Sequence, residues 1–423
     1  MSSSLRSAFG WGSAQAVVRL VVGFVSIKVT AVFLGPAGIA LVGQTGNFLT
    51  LLQGTLGNAI QTAVIKMTAE REAAGDLDHV PLWGTAMRLA VGLALAVGVM
   101  VILLHRPLSA WLFGREDLWP VVVLVGLILP MTLSTLVLSG ILTGLKQFRL
   151  IAFTNMGTTV VGAAIFISLS YTFGLMGGLF GTILAVAGGL LVILVIVRSS
   201  KAIRVSRCFA HWRPALLPSI LAFYPMLLVH AAAEPLTLIL VRDALIGATG
   251  VDQAGLWQAT LRLSNIYTLV LLTTLSMYSL PTLSAIRDPR QFRKIMFGMS
   301  VKMGAATAAA AFAIYLCRDL IVRVVFTSAF LPVRDLLGVQ LLGDVLNLGA
   351  WPLHSALMAQ NRSKTYMALE VGVAVSQIAV THWLLPRIGV SAAPTAYAVA
   401  SGMALLALVV LHWRLRSRGL VSA

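Results

Sequence analysis

Charge is scarce in this 423-residue chain: 11% of its residues are charged and 58% are hydrophobic. Its mean hydropathy is +0.93, and soluble domains carry roughly 25% charged residues, so a soluble globular protein is excluded. The two cysteines, Cys208 and Cys317, fall on opposite sides of a membrane in the topology below, and no disulfide framework is expected. No G-x-x-x-x-G-K-[ST] run is present, which excludes ATP hydrolysis by a P-loop. His230, His354 and His382 lack metal-ligand spacing, and no nucleophile, base and orienter assemble. The sequence therefore predicts a transporter, not an enzyme, with no cofactor and no metal. The 31 Lys and Arg against 14 Asp and Glu give a net charge of +17, which in a soluble protein would suggest nucleic acid. Neither an aromatic-interleaved basic patch nor a zinc spacing accompanies it, and no nucleic-acid partner is expected.

What the chain has is long apolar runs. A span needs about 20 residues to cross the hydrocarbon core, and the runs with their breakers predict twelve, at about 8–34, 39–66, 83–104, 119–142, 149–171, 175–197, 216–242, 253–283, 295–317, 334–358, 365–385 and 391–413. The first is too long for a secretory signal and carries Arg19 and Lys28, so it reads as a retained helix. Loops bearing Lys66, Arg71, Lys146, Arg149, Arg198, Lys201, Arg204, Arg207, Arg213, Arg287, Arg290, Arg293, Lys294, Arg362, Lys364, Arg414, Arg416 and Arg418 alternate with poorer ones. The positive-inside rule makes them cytoplasmic, and with them both termini. The opposite segments HRPLSAWLFGREDLW and CRDLIVRVVFTSAF read as amphipathic pieces at the outer interface, whose arginines meet lipid headgroups. The basic linker at 198–213 divides the chain into two six-span lobes, 1–205 and 206–423. An even number of spans per half implies parallel repeats. A shift of 214 superposes Lys28 on Arg242, Gln44 on Gln258 and Arg88 on Lys302, and a shift of 215 places Arg149 on Lys364 and Asn155 on Glu370.

Ionisable groups at membrane depth are costly unless they face water or a partner, so they lead the functional reading. The candidates for substrate binding are Arg19, Lys28, Lys66, Arg88, Arg242, Arg262 and Lys302; those for ion coupling or salt bridging are Asp344, Glu370 and Glu234. The six acids of the first half, Glu70, Glu72, Asp76, Asp78, Glu116 and Asp117, all fall in predicted loops. Its spans thus hold cations with no acid to neutralise them, and an aqueous cavity lined by them would focus an anion. Structural readings stand beside these. Lys28, Arg242, Arg88 and Lys302 lie near enough to helix ends to snorkel. Arg19 and Lys28, nine residues apart, line one cavity only if their helix bends, for which Gly23 is the candidate. Asp344 serves either as a proton or sodium carrier or as the salt-bridge partner of an arginine. Glu370 could instead pair with Lys364 or Arg362. Glu234 precedes Pro235, where a broken helix would free carbonyls to line a site. The glycines of GLMGGLFG and AGG in the sixth span read as close helix packing.

The motifs FLGPAGIALVGQ, AGLWQATLRLSNIY, SLPTLS and RDLLGVQLLGDVLNLGAW, in this order and spacing, resemble the Wzx-type lipid-linked oligosaccharide flippases, including the lipid III and O-antigen flippases, of the multidrug/oligosaccharidyl-lipid/polysaccharide exporter superfamily. The resemblance implies an all-α membrane protein with two lobes around a cationic cavity, located in the bacterial inner membrane. It implies alternating access that carries an undecaprenyl-diphosphate-linked oligosaccharide to the periplasmic leaflet, with membrane lipids and the polymerase and chain-length proteins of the same glycan pathway as partners. Arg19, Lys28, Lys66, Arg242, Lys302, Asp344 and Glu370 resemble family positions. Arg262 and Glu234 do not clearly match, and Asn265 stands where some relatives have an acid. A cation-coupled multidrug antiporter would need acids in the first half's spans. A membrane glycan polymerase or ligase would need a large outer loop, and a channel a repeated polar ring.

Overall fold

The computed structural model describes residues 3–76, 78–199, 211–286, 288–360 and 362–417. Cys208, Lys201, Arg204, Arg207, Arg287 and Arg418, and with them most of the basic linker, lie outside these residues. The described chain is all-helical: α1 (Ser3–Ala73), α2 (Val80–Leu103), α3 (His105–Phe113), α4 (Trp119–Gly144), α5 (Phe148–Ser199), α6 (Leu217–Leu221), α7 (Tyr224–Thr249), α8 (Val251–Ala285), α9 (Pro289–Leu316), α10 (Arg318–Val325), α11 (Val333–Ala359), α12 (Ser363–Ile388) and α13 (Ala392–Ser417). Among the described residues, seven helical stretches are long and apolar enough to cross a membrane: Gln15–Ala73, Val80–Leu103, Trp119–Gly144, Phe148–Ser199, Arg290–Leu316, Val333–Met358 and Ser363–Trp413. This is a multi-pass membrane protein.

The two longest helices are each broken at a glycine. In α1 the non-helical residue is Gly35 (φ 65°, ψ −171°), followed by Pro36; in α5 it is Gly174 (φ 56°, ψ −132°). Those dihedrals are closed to residues with a Cβ, and Pro36 has no N–H to continue the ladder. The break at Gly35 falls at the boundary expected between the first two spans, whereas Gly23 keeps helical dihedrals, so the bend expected there between Arg19 and Lys28 is not found. The break expected at Pro235 is not found: α7 runs through it, at the cost of one hydrogen bond to the Ala231 carbonyl. The first helix also continues past the predicted end near residue 66 to Ala73. The segment KMTAEREA is rich in helix formers, and Lys66 lies 3.8 Å from Glu70 one turn on. Glu70 and Glu72, expected in a loop, are thus helical.

Two compact units are formed, residues 1–34 with 41–239 and residues 35–40 with 240–423. In the first, Ile60 and Val64 of α1, Leu82 and Met87 of α2, Leu129, Leu133 and Ile141 of α4 and Ile193 of α5 build one apolar core. The α2 and α4 helices approach closely because Gly98 and Gly126 face each other; a Cβ on Gly98 would stand 2.6 Å from the Gly126 carbonyl oxygen. The sixth-span glycines pack as expected, with Gly181 against Phe166 and Gly178 against Leu34. In the second unit α11 is the packed centre. Gly349 lies against Gly304 of α9, Ser300 Oγ donates to the Gly349 carbonyl at 2.5 Å, and Gly343 fits under Tyr397 of α13. The two segments expected at the outer interface are the short helices α3 and α10. Cys317 is free and exposed between α9 and α10.

Candidate functional site

In the first unit the basic candidates are displayed. Arg19 and Lys28 on α1 and Arg88 on α2 are exposed. So is Lys66, whose ammonium also sits 5.5 Å from the centroid of the Phe223 ring. Apart from Glu234 on α7, the acids of this unit lie at helix ends and in connections. Glu72 meets His79 Nε2 at 2.9 Å, His79 stacks on Trp83 at 5.2 Å, and Trp83 Nε1 donates to Thr68 Oγ1 at 3.1 Å. Arg115 grips Asp117 through two hydrogen bonds of 2.9 and 2.6 Å. That guanidinium holds the Asp117 carboxyl below its ordinary range.

The second unit encloses two of its charged groups, Arg242 and Asp344. Arg242, predicted to snorkel or to bind substrate, is fully buried. Its guanidinium donates to Gln258 Oε1 and lies 5.4 Å from the centroid of the Trp257 ring, so two residues of the AGLWQATLRL motif hold it. Half-buried Arg262 on α8 is its electrostatic neighbour, and Lys302 on α9 is exposed. The shift of 214 that superposes Lys28 on Arg242 also superposes Gln44 on Gln258. Gln44, however, is buried in the first unit and donates from Nε2 to the Ile239 carbonyl at 3.4 Å.

Asp344 on α11 is 1% exposed. Ser264 Oγ and Tyr267 Oη of α8 both donate to its Oδ2 at 2.6 Å, and Gln340 Nε2, one turn back on α11, approaches Oδ1 at 3.3 Å. Tyr397 of α13 adds a further hydrogen bond. The recorded partners of this carboxylate are hydroxyls and an amide, not the arginine of the salt-bridge reading. Neutral donors can hold a buried carboxylate and leave room for a mobile cation or proton to complete it. The buried Gln340 Oε1 has no hydrogen-bond partner. Glu370 on α12 is half-buried and bonded to Tyr366 one turn back. Glu234 on α7 is exposed. No group of three metal-ligating side chains occurs among the described residues. Sequence reasoning found Asp344 but missed Tyr267, Ser264, Gln340 and Tyr397. The periodicity of each helix carries no signal for which hydroxyls of α8 and α13 converge on α11.

The chain is 28% identical to the lipid III flippase of Escherichia coli (strain K12) over 401 residues, covering 93% of this chain and 94% of that protein. The lipid III flippase of Shigella flexneri matches to the same extent. Among solved structures, an inward-facing multidrug resistance MATE family transporter of the MOP superfamily superposes with a TM-score of 0.77 at 13% identity, covering 96% of this chain and 100% of that one. The lipid II flippase MurJ in an inward closed conformation gives 0.72 at 14% identity, covering 94% and 86%. These two establish the fold alone. Residues 19–335 match the family described as polysaccharide biosynthesis protein, and with three quarters of its length inside that match the chain belongs to this family.

Proposed function

We propose that this protein is a flippase of the inner membrane. It moves a polyprenyl-diphosphate-linked oligosaccharide, of the undecaprenyl type, from the cytoplasmic to the periplasmic leaflet by alternating access. The observation that carries the reading is the exposed basic set Arg19, Lys28, Lys66 and Arg88 on α1 and α2, whose only acids, Glu70 and Glu72, lie at the end of α1. Basic side chains displayed on apolar helices attract an anion, and a diphosphate offers several acceptor oxygens to their N–H donors. The full-length likeness to the lipid III flippases supports it. In this proposal α1 and α5 each supply two spans across Gly35 and Gly174. The twelve spans form two six-helix lobes, 1–205 and 206–423, around a cationic cavity, with both termini cytoplasmic. Arg19, Lys28, Lys66, Arg88, Arg262 and Lys302 hold the diphosphate or acidic sugars while the polyprenyl tail stays in lipid. Arg242 backs the site from inside the protein. Asp344 is the ion-coupling group, with Glu370 and Glu234 as secondary acids. Pathway polymerase and chain-length proteins are the protein partners in this scheme.

The fold likeness to MATE transporters favours a second reading, a cation-coupled multidrug antiporter. An organic cation would meet the exposed basic side chains of α1 and α2, which counts against it. The test is transport by the purified chain in vesicles. Movement of a short-chain diphosphate-linked oligosaccharide and not of an organic cation is expected; the reverse preference would replace the flippase reading with the antiporter.

A further inference from the structure

The two short helices α3 and α10 are copies of one device at a shift of 213 residues. Each follows a long apolar helix after a single turn residue, Leu104 (φ −95°, ψ 21°) or Cys317 (φ −91°, ψ 6°). Each opens with a side chain that reaches back to the carbonyl three residues before it: His105 Nδ1 meets the Ile102 oxygen at 2.8 Å, and Arg318 Nη1 donates to the Tyr315 oxygen at 3.1 Å. In both, the first residue caps the last turn of the preceding span.

At about 100° per residue each short helix divides into three faces. One is buried in its own unit, on Ser109 and Leu112 in α3 and on Val322 in α10. A second is exposed and polar: Arg106 in α3 and Asp319 at the matching place in α10, which adds Arg323 one turn on where α3 has the half-buried Ala110. The third, between them, is exposed and apolar: Pro107 and Trp111 in α3, Leu320 (65% exposed) and Val324 (63%) in α10. That third face continues a stripe spaced every four residues on the preceding span, Leu95, Val99 and Leu103 before α3 and Phe312 and Leu316 before α10, all more than half exposed. A stripe this apolar on a membrane-spanning helix faces acyl chains. The 24 residues of α2 rise about 36 Å, enough to cross a core of about 30 Å, so α3 begins where the chain leaves the hydrocarbon. A helix with one protein face, one apolar face continuous with a lipid-facing stripe and one charged face fits the bilayer boundary and no other environment.

We propose that α3 and α10 lie in the membrane interface as a duplicated anchor, one per half. Pro107, Trp111, Leu320 and Val324 sit at the acyl boundary, and Arg106, Asp319 and Arg323 stand in the headgroup layer. The occupant of both apolar faces is phospholipid, not a second protein. The lipid-facing stripes that run into them make that choice, and Trp111 is the residue type enriched at this depth. The inference does not depend on what the protein transports.

The test uses the full chain with Cys208→Ser and Cys317→Ser, reconstituted into phosphatidylethanolamine and phosphatidylglycerol vesicles. Single nitroxides are attached at Leu320→Cys, Val324→Cys and Arg323→Cys. Oxygen should relax the labels at 320 and 324 several-fold more effectively than a water-soluble nickel chelate, with the order reversed at 323. Pro107→Cys, Trp111→Cys and Arg106→Cys repeat the measurement in the other half and serve if the α10 variants misfold. Nickel access at 320 and 324 equal to that at 323 would place the face in water, and immobile labels reached by neither reagent would mean a protein covers it. Either result overturns the proposal, and a lipid signature in only one helix would overturn the duplication.

Discussion

The two halves keep the same backbone devices and spend their charges differently. Gly174 and Gly389 stand 215 residues apart with nearly equal dihedrals (φ 56°, ψ −132° and φ 56°, ψ −136°), and α3 repeats as α10. Lys28 and Arg242 occupy matching places, yet Lys28 is exposed whereas Arg242 is completely buried against Gln258 and Trp257. A repeat thus preserves turns, which backbone sterics fix, while a matching cation can serve as a displayed charge in one copy and an internal strut in the other. The acids follow the same division: the first half keeps them at helix ends, and the second buries Asp344 among hydroxyls.

The largest expected effect breaks the comparison at Arg242. Arg242→Ala leaves the Gln258 carbonyl oxygen unpaired beside a cavity under Trp257, and should destabilise the protein by about 3 kcal/mol. Thermal unfolding in detergent measures it, with Lys28→Ala expected to be within about 0.5 kcal/mol of the parent. Next come the shared turns. Gly174→Ala and Gly389→Ala each force a Cβ into a glycine-only conformation and should cost about 2 kcal/mol apiece; equal losses in unfolding would confirm that the two turns are one inherited element. Lys28→Ala should leave stability alone and weaken binding of a diphosphate lipid about tenfold, the value of one charge-assisted contact, read by titration in nanodiscs. The smallest effect is at the exposed Arg115–Asp117 pair. Because Arg115 lowers the Asp117 pKa in the folded chain, its contribution is present above the unfolded carboxylate value and is lost as pH falls through the lowered one. Asp117→Asn should therefore shift the melting temperature slightly at pH 7 and not at all in strong acid.

Much of this fold is legible because glycine and proline punctuate apolar helices. The boundaries expected at 34/39 and 171/175 coincide with Gly35 and Gly174, and the segments HRPLSAWLFGREDLW and CRDLIVRVVFTSAF announce α3 and α10 by mixing charge into apolar runs. Proline was less reliable inside a helix: α7 absorbs Pro235 without breaking, since neighbours in a packed protein supply what the missing hydrogen bond removes. Asp344 was legible as a buried acid because it is rare in such company. Its surroundings were not, since Ser264, Tyr267 and Tyr397 reach it from α8 and α13, 80 and 77 residues before it for the first two. Nor could sequence separate Arg242 from Lys28, because both are cations in apolar runs near a helix end and only packing decides which one is enclosed.

The most direct measurement is binding and bilayer translocation of a short-chain diphosphate-linked oligosaccharide by the purified protein beside Arg19→Ala and Asp344→Asn. The account predicts that Arg19→Ala loses binding, while Asp344→Asn binds normally and fails to drive transport. Unchanged binding in Arg19→Ala, with full transport by Asp344→Asn, would contradict the division of labour between a cation-displaying half and an acid-burying one.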